Sequence, residues 1–143
     1  MLLSFERSDG QMVDIDSSLI FRARPRLDSS DEPGVQTVIS YILHIADPRY
    51  RRLPTKTTTA EIVALLSTAL PMAQLTTVTG APVYVDAAKV EAIELPIKGE
   101  SPDGTKAVLL VSTQHQPVAE TVAAARKILD AALATFKGPR TGS

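Results

Sequence analysis

The sequence predicts an α+β protein made of two tandem β-meander-plus-helix units, packed as an intrachain pseudo-dimer with antiparallel sheet. Apolar residues mostly follow a strand-like pattern, and the period becomes helical only over 59–70 and 119–137. Turn, strand and helix signals also recur in one order about seventy positions apart. Units of about seventy residues are marginal on their own, so the two are expected to hide their apolar faces against each other. The predicted units are 1–71 and 72–137, followed by a short polar tail, 138–143.

The elements follow in order. Leu2–Glu6 and Gln11–Ile15 alternate around Ser8-Asp9-Gly10, and Asp-Gly is a strong hairpin turn. Leu19–Leu27 reads as a third strand, with Arg22, Arg24 and Arg26 on one face and Leu19, Phe21 and Ala23 on the other. Pro25 cannot donate to a ladder, which places the end of this strand, or a sheet edge, there. Asp28–Pro33 is an acidic loop. Val35–Ile45 is the longest strand, Ala46–Arg49 a turn, and Tyr50–Leu53 the returning strand. Thr58-x-x-Glu61 has capping-box spacing before the helix 59–70, with Ile62, Leu65, Leu66 and Ala69 as its buried stripe. Leu75–Val78 re-enters strand.

The second unit repeats the signals. Gly80, Val83, Val85, Asp86 and Val90 match Gly10, Val13, Ile15, Asp16 and Ile20. Ser101-Pro-Asp-Gly104 matches Asp31-Glu-Pro-Gly34, and Val108-Leu109 matches Val38-Ile39. In the helix 119–137, Val122, Ala125, Leu129, Ala132, Leu133 and Phe136 share one face, and Gly138-Pro139 is a stop signal.

Composition excludes several chemistries. With no cysteine there are no disulfides, no thiolate catalysis and no cysteine-ligated metal. Fifteen basic residues against sixteen acidic ones, a net charge of −1, give no overall field for nucleic acid or membrane. No apolar run approaches the roughly eighteen residues of a membrane span, and no signal-peptide pattern is present. The expected compartment is the cytoplasm. Phosphate-loop, dinucleotide and nucleophile-elbow motifs are all missing, so no cofactor and no catalytic residue is expected.

Three clusters carry candidate chemistry. Arg22, Arg24 and Arg26 could meet Arg49, Arg51 and Arg52 from the next hairpin, and converging guanidinium forks make an anion site. The same arginines could equally neutralise nearby acids on a solvated edge. The second unit has Glu91 and Glu94 where the first has Phe21 and Arg24, so any such site belongs to the first unit. His44 and His115 could serve a metal or acid–base chemistry, but they lack ligand spacing and read as surface histidines. Thr55–Thr59 at a helix entry could hold an anion, although capping explains it more simply.

The run G-x-x-V-x-V-D at Gly80–Asp86, then Val90 and Ile93, Gly104 with its strand, and V-x-E-T-V at Val118–Val122 resembles the small flagellar FlbD-like family. The resemblance covers roughly Gly80–Leu133, and more faintly Gly10–Leu66. It implies a strand-rich body with a closing helix and assigns no functional residue. This chain departs from the family in carrying two copies and a longer first hairpin. The strand-then-helix order also looks like that of LytTR-type DNA-binding domains.

The first reading is thus a non-enzymatic interaction or scaffold protein that self-associates or binds a protein partner, through an exposed sheet face or the alanine-rich second helix. The alternative is anion or nucleic-acid binding through the arginine face, nucleic acid being disfavoured by the near-neutral charge. The third reading is a small hydrolase or isomerase using a histidine.

Overall fold

The computed structural model describes residues 1–27 and 31–137; the predicted tail, the stop signal Gly138-Pro139 and part of the acidic loop lie outside the described residues. Its elements are β1 (Leu2–Glu6), β2 (Met12–Asp16), a 3-10 turn (Ser17–Leu19), β3 (Ile20–Pro25), β4 (Thr37–His44), β5 (Asp47–Thr55) and α1 (Thr59–Ser67). They are followed by β6 (Met72–Thr76), β7 (Pro82–Asp86), a second 3-10 turn (Ala87–Lys89), β8 (Val90–Glu94), β9 (Ala107–Val111), β10 (Gln114–Val118) and α2 (Val122–Thr135). The fold is α+β with antiparallel sheets. Residues 2–67 and 72–135 pass through the same order of elements.

Local chemistry explains the matching turns. Gly10 and Gly80 adopt φ of +91° and +89°, a conformation that a side chain would strain, directly before β2 and β7. The Asp16 and Asp86 carboxylates each accept the backbone N–H two residues on, which starts the two 3-10 turns. Thr58 and Thr121 cap α1 and α2, their hydroxyls accepting from Glu61 N and Ala124 N.

The strands form a five-stranded sheet in the order β5-β4-β3-β7-β6, a three-stranded sheet β10-β9-β8 and a hairpin β1-β2. The five-stranded sheet joins the halves, because β3 pairs with β7 at Arg22↔Val85 and Ala23↔Tyr84. It separates two cores. On one face Ile20, Ala23, Ile39 and Leu53 pack with Leu3, Phe5 and Ile15 beneath Ile62 and Leu66 of α1. On the other face Phe21, Ile42, Leu75, Val83 and Val85 pack with Leu109 and Val111 beneath Ala125 and Leu129 of α2. Among the described residues β2 and β8 each leave one lateral edge unpaired.

Several boundaries differ from expectation. The helix expected to run to Leu70 ends at Ser67, where Thr68 turns its N–H to Leu65 O and Leu66 O, ahead of Pro71. The second helix starts at Val122 rather than 119, because Thr121 is its cap. The strand expected at Leu75–Val78 is Met72–Thr76. The β4–β5 turn is Ile45-Ala46, since His44 pairs with Asp47, so Asp47–Arg49 belong to β5. No described helix is long and apolar enough to cross a membrane.

Candidate anion site between the halves

A β-bulge sets the site. The β3–β4 register shifts between Ile20 and Arg22, so Phe21 falls on the same face as Arg22 rather than opposite it. Phe21 is therefore buried in the core under α2, while Ile20 and Ala23 enter the core under α1. The simple alternation expected for Leu19–Leu27 holds from Arg22 onward and is inverted before the bulge, at Ile20 and Phe21.

Beyond the bulge, strand pairing places Arg22, Ser40 and Arg52 in one row across β3, β4 and β5. Arg22 and Arg24, with Arg52, line a cavity of about 440 Å³ whose far wall is Thr77, Thr79 and Pro82 of the second half and whose floor includes Gln116. Arg22 is partly buried. Its guanidinium donates to Gln116 Oε1 at 2.8 Å and to Ser40 Oγ at 3.2 and 3.3 Å. It also lies over the Phe21 and Tyr50 rings, 5.4 and 5.8 Å from their centroids. Burial pushes its pKa below the ordinary guanidinium value. All its close partners are neutral: among the described residues no carboxylate forms an ion pair with Arg22 or Arg52.

Tyr50 sits between the two cations. Its hydroxyl accepts from Arg52 at 3.1 Å, and that bond holds the phenol below its usual pKa. Its ring meets Phe21 edge-on at 5.9 Å. Arg24 is neutralised by Asp31 at 2.8 Å, and this bond lowers the Asp31 carboxyl below the ordinary carboxylate range. Among the described residues, three arginines thus line the cavity, and one of them, Arg24, carries a counter-charge. Pro25, Leu27, Pro82 and Val83 give it an apolar wall, and Thr77, Thr79 and Gln116 bring neutral polar groups.

The other predicted arginines lie elsewhere. Alternation along β5 sends Arg51, paired with Tyr41, to the opposite face from Arg52. Arg49 is exposed and bound to Asp47 at 2.6 Å in the hairpin. Arg26 donates to Glu32 O and Asp31 O, bracing the loop after β3. Three of the six arginines converge and three do not.

The remaining candidates are placed as ordinary structure. His44 Nδ1 accepts the Ala46 N–H in its turn, and His115 is exposed on β10. No three His, Cys, Asp or Glu among the described residues gather for a metal. In Thr55–Thr59, Thr58 caps α1, Thr55 donates to Thr37 O, and the Thr59 and Thr37 hydroxyls lie 3.0 Å apart. Glu120 accepts Thr76 N at 2.9 Å and ties the entry of α2 to β6.

Sequence reasoning missed Gln116, Tyr50 and Lys89. Lys89 Nζ donates to Asp86 Oδ2 at 2.6 Å and also to Ser17 O and Ile20 O, joining the two 3-10 turns. Its three-residue spacing from Asp86 was a readable signal; its reach into the other half was not. Comparison with known proteins returned no match: no family model, no curated protein and no solved structure is similar to the chain.

Proposed function

We infer that this chain is a non-enzymatic binding protein: two copies of one strand-and-helix plan, packed as a pseudo-dimer, that hold a small anion in the cleft between them. The ligand class is a carboxylate or phosphate on a short apolar body. One observation carries this reading, a partly buried Arg22 that opens on a cavity and, among the described residues, hydrogen-bonds only neutral partners. A buried cation is costly unless compensated. Here two hydrogen-bonding groups and two aromatic rings compensate it and leave its charge unneutralised. A ligand anion would supply the missing counter-charge, with Arg52 in the same row lining the cavity. The FlbD-like resemblance adds no ligand.

The test is thermal unfolding, followed by circular dichroism at low ionic strength, with inorganic phosphate or citrate added. At about 20 mM ligand, a site of millimolar Kd stabilises by about 1.8 kcal/mol. The shift is expected for the wild type and for Arg51→Gln, and is expected to vanish in Arg22→Gln. No shift in the wild type overturns the reading. Strong salt-sensitive retention on DNA without a phosphate shift would replace it with nucleic-acid binding.

A further inference from the structure

The β3–β7 junction uses one edge from each half, and the corresponding edge of the other half stands open in both cases. Strand β8 holds the place of β3 seventy positions on, and β2 holds the place of β7 seventy positions back. We propose that β8 of one copy pairs with β2 of a second copy, in the antiparallel register by which β3 pairs with β7 inside the chain.

The exposed apolar residues support this occupant. Met12 and Leu95 are 64% and 75% exposed, and their counterparts at the internal junction are Pro82 and Pro25, half-buried on the cavity wall. Leu2 is 68% exposed; its counterpart Met72 packs against the core beneath α1. Thr58 and Thr121 cap the two helices sixty-three positions apart, which pairs Leu133 with Leu70. Leu133 is 39% exposed and Leu70 only 6%.

Beside β8 runs a groove of about 330 Å³ where Val90, Ala92, Ile93, Leu129 and Leu133 are flanked by the charged Glu91, Arg126 and Asp130. In the first half Ile20 and Ala23, the counterparts of Val90 and Ile93, are fully buried. Strands β6 and β7 lie beside them there, with Met72 against the same core. The β1–β2 hairpin of a second copy would bring the exposed Leu2 and Met12 to the apolar side chains of this groove.

Continuing the internal register opposes Arg22↔Val85 with Ala92↔Ile15, and sets Leu95 against Met12 of the second copy. It also sets Glu91 against Asp16. Both carboxylates are engaged, Glu91 by Thr113 N and Asp16 by Ser18 N and the terminal ammonium. Their like charge makes the association strengthen with salt, the opposite sign to anion binding. Two such junctions close a ring of two copies if the rotation permits, and otherwise extend the assembly.

The proposal rests on the two-unit reading and not on the anion site. The chain has no cysteine, so two single variants, Met12→Cys and Leu95→Cys, can be mixed and oxidised. Leu95 directly follows β8, and residues that face each other across paired strands lie within disulfide reach, about 4.5–5.5 Å between Cα atoms. A mixed disulfide is expected at least tenfold above that from an Ile45→Cys and Leu95→Cys mixture, Ile45 being exposed in a distant hairpin turn. Light scattering of the wild type should give a mass of two chains or more at high salt, with Met12→Lys and Leu95→Lys monomeric. Arg22→Gln, which removes the anion site, should assemble like the wild type. A wild type monomeric at every concentration and salt level, or a mixed disulfide no stronger than the control, overturns the proposal.

Discussion

The two halves agree in their turns and differ where they meet. Both place a glycine at positive φ before their second strand, an aspartate at the start of a 3-10 turn and a threonine at the head of the helix. At the joining strand the first half has Phe21, Arg22 and Arg24, whereas the second has Glu91, Ala92 and Glu94. The turns set the backbone path. The junction chemistry belongs to the half whose strand is covered: Phe21 is wholly buried, while Glu91 is exposed and accepts from Thr113 N in the β9–β10 turn. Shared path and unshared chemistry can therefore be tested separately.

Exchanging the junction residues should produce the largest contrast. Phe21→Glu removes a wholly buried ring and puts a carboxylate in the core beneath α2, and is expected to cost more than about 3 kcal/mol in urea unfolding even with Arg22 beside it. Glu91→Phe should cost about 1 kcal/mol, from the lost bond to Thr113 N. Lys89→Leu copies the first half's Leu19 and strands the Asp86 carboxylate, which is 1% exposed, at about 3 kcal/mol; adding Asp86→Asn should recover part of this.

A smaller effect should come from the Arg24–Asp31 pair. Asp31 is held below its unfolded pKa of about 3.9, so its contribution is complete above that pH and fades as pH falls through the lowered folded value. Asp31→Asn should cost about 1 kcal/mol at pH 7 and progressively less as the pH is lowered into the acid range, read from paired urea curves. The smallest change is a gain. Ser112 and Thr113 hold φ of +46° and +67° in the two-residue β9–β10 turn, a geometry suited to Asn-Gly. Ser112→Asn with Thr113→Gly should stabilise by about 1 kcal/mol, seen as a raised urea midpoint.

Much of the fold was legible because its turns rely on residues with one strong local preference. Asp9-Gly10, Asp16, Thr58 and Thr121 act through their own side chains or φ angles within three residues. Half of the candidate site was legible for the same reason: Arg22 and Arg24 share a face by strand period alone. The rest depends on tertiary pairing. The bulge that turns Phe21 toward the α2 core has no glycine to mark it, and the hairpin turn at Ile45-Ala46 lacks the usual Gly or Asn. That turn comes earlier than expected, so β5 begins at Asp47 and includes Arg49; Arg51 and Arg52, as neighbours in a strand, fall on opposite faces whatever its start. Gln116 enters from a strand ninety-four residues away from Arg22, and no local pattern reports such a contact.

The β3–β7 ladder has a practical consequence. The two halves meet through backbone hydrogen bonds, a lysine clasp and a shared apolar layer, and Pro71 lies in the short link between α1 and β6. A chain severed at that link leaves two pieces, each with half of a template for the other. Co-expressed as separate polypeptides, they would serve as a complementation pair whose reunion reports on whatever is fused to them.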